Sequence, residues 1–253
     1  MQCQVLTYYF YVWKGKASRM TAFWHKIGHR GTPREFPGNT MRGFQRAVER
    51  GCTMVECDVR QAADGVIVLA HDPYVTDTSG TRVVIADTAS DVLHSLDLGS
   101  GEGVPRLDEL ALWARGKCSV MADMKCEGNG VEEGVLAALQ ALDPAARVIP
   151  GASAHSRARF RELDPALPLS LTLSDQDIHL VEDGSLNILL TDLDTCAVTW
   201  HHALITAERV ARLHQYDKKV YVWTVDDLPT MRNLLEMGVD GIISNRADLL
   251  QPL

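Results

Sequence analysis

From Lys26 onward, short apolar runs alternate with segments of helical periodicity, and this alternation commits the chain to parallel β/α units. The first run ends at Gly28-His29-Arg30-Gly31. A helix is expected to begin near Thr40, whose hydroxyl can cap it, with Met41, Phe44, Ala47 and Val48 on one face and Gly51 as its stop. Further runs lie at 54–59, 119–124, 147–153, 169–173, 187–193, 220–225 and 241–244, which with the first make eight. Helix-like segments at 107–115, 131–142, 156–163, 207–215 and 228–237 fall between most of them. Eight strands with intervening helices predict an α/β chain folded as a (β/α)8 TIM barrel.

The 253 residues suit one such barrel over 26–253, preceded by an N-terminal extension at 1–25. That extension carries Tyr8, Tyr9, Phe10, Tyr11, Val12 and Trp13, with no basic residue before them and no small-residue cleavage site, so it fails as a signal peptide. It is also much shorter than the apolar stretch of about 20 residues a membrane helix needs, so no integral membrane segment is expected. The expected roles are a flap over the barrel base or an upstream addition to a domain starting at Met20. The net charge of -8 and the lack of a Lys/Arg run argue against nucleic acid as partner, whereas a small phosphate-bearing molecule is allowed at a site with its own cations. Six cysteines without a C-x-x-C pair read as free thiols in a reducing, cytoplasmic compartment.

One apolar run, 66–70, is joined to the second strand only by residues around Asp64-Gly65, too few for the roughly dozen a parallel crossover needs. The link reads as a hairpin with the D-G pair at its turn, which sets His71 opposite Glu56 to Asp58. The turn-rich stretch 73–103 then reads as a small cap inserted after the second strand, and as a candidate for substrate recognition.

Glu56 and Asp58 are two apart on a strand, so both leave the same face. Alone, such a pair is usually a solvated strand end. Asp123, at the end of the next barrel strand, adds a third carboxylate, and three acids facing one another need a positive charge between them, which a hard divalent cation with oxygen ligands supplies. Lys125 and Arg30 are placed to hold phosphate oxygens. His29 and His71 end two apolar runs at the same mouth, where each can serve as acid or base. The other seven histidines, His201 and His202 among them, read as surface or core residues, and Cys57 and Cys126 as packing thiols.

His29-Arg30-Gly31, Pro37-Gly38-Asn39-Thr40, Glu56-x-Asp58, Asp64-Gly65 and His71-Asp72 resemble, in order and spacing, the motifs of the glycerophosphodiester phosphodiesterase family. Pro105 to Glu109, Met124-Lys125, Trp223-Thr224-Val225 and Gly238 to Ile243 look like its later landmarks. The resemblance implies one Ca2+ or Mg2+ ion, hydrolysis of glycerophosphodiesters to glycerol 3-phosphate and an alcohol, general acid-base work by His29 and His71, and Trp223 against the glycerol side. The chain departs from the family at Asp123, where Glu is usual, at Gly38, also usually Glu and with Glu35 nearby, and at Asn245, commonly Asp. A lysophospholipid or sphingomyelin phosphodiesterase on the same barrel, and a catalytically impaired barrel that binds phosphorylated ligands, are the alternatives.

Overall fold

The computed structural model describes residues 24–183, 185 and 195–253; the aromatic run at 8–13, most of the expected extension and the expected strand at 187–193 lie outside them. Among the described residues, eight parallel strands form the barrel: β1 (His25–Gly28), β2 (Met54–Gln61), β6 (Ser119–Met124), β7 (Arg147–Val148), β8 (Ser170–Leu173), β9 (Ala197–His201), β10 (Lys219–Trp223) and β11 (Gly241–Ser244). Their order is β7-β6-β2-β1-β11-β10-β9-β8, and a bridge between Ile149 and Leu169 joins the two ends of the ring. The described place between β8 and β10 is thus filled by residues 197–201, a segment that sequence reading passed over because two histidines end it. The expected strand at 147–153 is cut to two residues, since Pro150 lacks an N–H for the ladder.

Strand alternation sorts the core. Inward residues Ile27, Met54, Met121, Val148, Ala197, Tyr221 and Ile243 form one cluster inside the barrel. Outward residues such as Val55, Cys57, Val59, Val120 and Val222 pack against the surrounding helices. Those helices are α1 (Met41–Glu49), α3 (Leu107–Ala114), α4 (Val131–Ala138), α5 (Ala154–Leu163), α6 (Ile178–Asp183), α7 (Ala207–His214), α8 (Leu228–Met237) and α9 (Ala247–Leu250). The Thr40 hydroxyl accepts from Gly43 N at the start of α1, which buries Phe44 and Ala47. None of the described helices is long and apolar enough to cross a membrane.

The hairpin expectation holds with a different turn. β3 (Ile67–Leu69) runs antiparallel to the end of β2, with Val59 opposite Leu69. Its loop is Ala63-Asp64-Gly65, closed by Gly65 N to Ala62 O and Ala62 N to Val66 O, and only Gly65 takes a positive φ, +83°. That is a three-residue loop ending in a left-handed glycine, which frees the Asp64 side chain to accept from the backbone and hydroxyl of Ser90. Ser90 opens α2 (Ser90–Ser95), so Asp64 pins the cap to the hairpin.

The cap comprises β4 (Tyr74–Thr76), β5 (Arg82–Val84) and α2. Ile85, Leu93 and Val104 close onto Ala62, Val68 and Ala70 in an apolar cluster of their own. Its far end rests on α1, where Glu102 accepts from Arg42 N and Ser100 O accepts from the Arg42 guanidinium.

Candidate active site

A cavity of about 420 Å³ opens at the carboxyl ends of the strands, and all eight residues singled out from sequence line it. No residue of 73–103 does, so the expected part of the cap in recognition is not seen in the lining; Ile85 and Leu93 of the cap close against the hairpin instead.

Parallel register places Asp58 beside Asp123, and alternation puts Glu56 on the same inward face. Oxygens of Glu56, Asp58 and Asp123 lie within 4.8 Å of one another. Glu56 and Asp58 are buried, while the Asp123 side chain is one-quarter exposed. Burial first, then the charges of Asp58 and Asp123, push the Glu56 carboxyl well above the usual range. Hard oxygens crowded in this way suit a divalent cation of the calcium or magnesium kind.

Neighbouring groups hold the acids in place. Arg30 takes a left-handed backbone (φ +51°), which costs about 1–2 kcal/mol for a residue with a Cβ. In exchange its N–H donates to Glu56 Oε2 at 2.8 Å, and its Nε lies 2.9 Å from Asp58 Oδ2, an ion pair without hydrogen-bond alignment. Asn39, also left-handed at φ +59°, clamps Asp58 from both sides: Nδ2 donates to Oδ2 at 2.8 Å and Oδ1 accepts from the Asp58 N–H at 3.1 Å. Lys125 Nζ sits 2.7 Å from Asp123 and 3.3 Å from Asp58. Burial works against its charge, but those two carboxylates carry its pKa upward.

Both histidines line the same cavity as the acids. His29 Nδ1 is 2.7 Å from Asn245 Oδ1, and the Asn245 amide nitrogen donates to Asp226 at 2.8 Å. A carboxylate only accepts, so Asp226 fixes the amide with its oxygen toward His29, and His29 Nδ1 must carry the proton. Nε2 is then the lone-pair nitrogen, 3.8 Å from Glu56 Oε2. Burial, with Arg30 adding, lowers the His29 pKa against the opposing pull of Asn245 and the acids. His71 Nδ1 instead faces a carboxylate, Asp72 Oδ1 at 2.8 Å, and the His71 backbone carbonyl accepts two bonds from the Arg60 guanidinium. Trp223, half-buried on the inner cluster, forms a wall and meets the His201 ring edge-to-face at 5.3 Å. His201, read from sequence as surface or core, therefore backs a cavity residue.

Sequence reading missed the clamp and the relay. Asn39 stood in a quoted motif without a role, and the Asn245–Asp226 pair joins two distant loops that no spacing links. Gly151 had no signal at all. At φ +70° it lies under Asp123, and a Cβ built there would overlap Asp123 Oδ1. Gly151→Ala is expected to lower divalent-cation affinity at least about 10-fold and stability by about 1 kcal/mol or more. Calorimetric titration with Ca2+ and Mg2+ beside a thermal melt checks this, and unchanged affinity would separate Gly151 from the acid cluster. Glu35, a conceivable stand-in at Gly38, is instead bound to Arg46 and Arg50 on and after α1, and does not line the cavity.

The chain is similar to known proteins of one family. Residues 29–249 match the model of the "Glycerophosphoryl diester phosphodiesterase family". A Mycobacterium tuberculosis protein named "Probable glycerophosphodiester phosphodiesterase 2" is 31% identical over 247 residues, covering 89% of this chain and 88% of that one. A "Glycerophosphodiester phosphodiesterase" of Caldanaerobacter subterraneus is 27% identical over 237 residues, covering 88% and 95%. Among solved structures, an Oleispira antarctica phosphodiesterase in complex with the product sn-glycerol-3-phosphate superposes with a TM-score of 0.79 at 22% identity, covering 90% of this chain and 96% of that one, a likeness of fold. By the family match across nearly all of its barrel, the chain belongs to the glycerophosphoryl diester phosphodiesterase family.

Proposed function

We propose that this chain hydrolyses glycerophosphodiesters to sn-glycerol 3-phosphate and an alcohol, using one divalent cation, Ca2+ or Mg2+, and the histidine pair His29 and His71. The observation that carries the reading is the convergence of three carboxylates and two imidazoles, each with Nδ1 committed to a partner, on one cavity. That the Oleispira antarctica structure holds sn-glycerol-3-phosphate as product supports the same substrate class here.

Glu56, Asp58 and Asp123 are the residues that would hold the cation, and Asn39 keeps Asp58 aimed while leaving one of its oxygens free of that clamp. When bound, such an ion polarises the phosphoryl group and offsets the charge that builds on it during displacement. Arg30 and Lys125, now paired with the acids, supply donors to the non-bridging phosphate oxygens. His29, kept neutral by burial, takes a proton through Nε2 from the attacking oxygen, which is water or the glycerol 2-hydroxyl. As the bond from phosphorus to the alcohol oxygen breaks, His71 returns a proton to the departing oxygen, so that displacement leaves the pair's protonation states exchanged. Attack by water gives glycerol 3-phosphate directly; attack by the 2-hydroxyl gives a cyclic glycerol phosphate, which water opens to glycerol 3-phosphate with the two histidines in reversed roles. Trp223 closes the glycerol side. Residues 26–253 form the catalytic unit, and the free thiols Cys52, Cys57, Cys118, Cys126 and Cys196 support a cytoplasmic setting.

Protein stripped with a chelator is expected to release no glycerol 3-phosphate from glycerophosphocholine or glycerophosphoethanolamine, and to regain turnover with Ca2+ or Mg2+. Full activity in the presence of excess chelator would remove the cation from the reading. Ligand binding without turnover at any metal concentration would leave a binding barrel instead.

A further inference from the structure

The mouth of the barrel has two unlike halves. Carboxylates and Lys125 occupy one; on the other, β8 and β9 turn Thr172 and Thr199 into the cavity beside Trp223. The two threonines are register partners, one step above Ser170 and Ala197 on the same inward faces. Their hydroxyls are 2.8 Å apart, and Gly151 N–H donates to Thr172 Oγ1 at 3.2 Å. Because Gly151 also underlies Asp123, the hydroxyl pair is held at a set distance from the acid cluster. Thr199 is 3% exposed, whereas Thr172 opens to the cavity.

A hydroxyl offers one donor and two acceptor positions. Thr172 spends one acceptor on Gly151 and one position on Thr199, which leaves it one free. That position is a donor if Thr199 gives its proton to Thr172, and an acceptor if the proton runs the other way. The ligand group able to meet either state is another hydroxyl, since a phosphate oxygen only accepts and an ammonium only donates. The pair shares the cavity lining with half-buried Trp223, the residue read as the glycerol side, so it faces the part common to all substrates. The alcohol, which varies, is left the adjoining groove lined by Lys125, Cys126 and Glu127.

We propose that Thr172, backed by Thr199, determines specificity by binding the terminal hydroxyl of the glycerol half, so that the enzyme selects diesters of a polyol over those of a simple alkyl alcohol. This rests on the hydrolase reading above. The test compares glycerophosphocholine with 2-hydroxypropyl phosphocholine, which keeps the 2-hydroxyl and lacks the terminal one. Wild type is expected to favour the glycerol diester in kcat/KM by about 10- to 100-fold, below the limit for fully buried hydroxyl recognition because the cavity is open. Thr172→Val removes that preference by lowering the glycerol diester alone, and Thr172→Ser retains it. A preference unchanged in Thr172→Val, a parallel fall for both substrates, or an effect that follows the alcohol half would overturn the assignment. A binding arm, calorimetry with sn-glycerol 3-phosphate against propane-1,2-diol 1-phosphate in Ca2+ or Mg2+, needs no turnover. If wild type hydrolyses neither diester, the hydrolase reading fails, while a hydroxyl-dependent affinity lost in Thr172→Val still upholds the site and equal affinities sink it.

Discussion

Replacing His29 or His71 by alanine is expected to lower kcat by about 10²- to 10⁴-fold, the usual worth of a positioned acid or base, with fold and cation binding retained. Retention follows from placement: the side chains are 20% and 44% exposed, at the mouth rather than in the packed barrel, and neither belongs to the acid triplet. The two variants are distinguishable by pH. Burial lowers the His29 pKa from its ordinary 6.5, so the ring stays neutral and basic through neutral pH and is lost as a base only when it protonates below that value. Wild-type kcat/KM should therefore fall on the acid side along a limb lying under pH 6.5, and His29→Ala should lack it. Near-normal turnover in either variant would remove that histidine from the mechanism; an acid limb surviving in His29→Ala would assign it to another group.

The Asn245–Asp226 relay explains why a neutral amide serves beside this histidine. Asp226 orients the amide, the amide orients the ring, and the lone pair faces the cavity. Sequence reading reached the endpoints of such arrangements and missed their supports, for a physical reason. Glu56 and Asp58 lie within β2, and His29 and His71 just past β1 and β3, where period-two alternation and the hairpin register dictate direction, so their meeting was computable from spacing. Asn39, Asn245, Asp226 and Gly151 lie in loops whose paths depend on tertiary packing. Thr199 was hidden differently: the strand that carries it was not recognised, because His201 and His202 broke the apolar pattern at its end. The barrel itself was legible because most of its strands announce themselves twice, by apolar runs and by the helices between them.

Glu56→Gln is expected to abolish turnover while making the cation-free protein more stable, and the opposite signs follow from one cause. Without a cation, ionised Glu56 faces desolvation and two like charges, which is why its carboxyl titrates well above the ordinary 4.5. A group whose folded pKa is raised binds more protons folded than unfolded between the two values, so stability declines as pH rises from about 4.5 through the raised value. Glutamine keeps an oxygen to accept the Arg30 N–H, now at 2.8 Å to Oε2, and carries no charge, so that decline should vanish. Denaturant unfolding with chelator present should show the variant ahead of wild type at pH 8, with the gap closing toward pH 4.5. Saturating Ca2+ or Mg2+ should reverse the order, because the cation stabilises wild type by mass action and the variant has lost a charged ligand. The same coupling makes cation binding to wild type release a proton and tighten with pH. Equal destabilisation of Glu56→Gln at every pH, with or without cation, would mean that Glu56 is held as a structural acceptor and that the three carboxylates do not form a charge-crowded site.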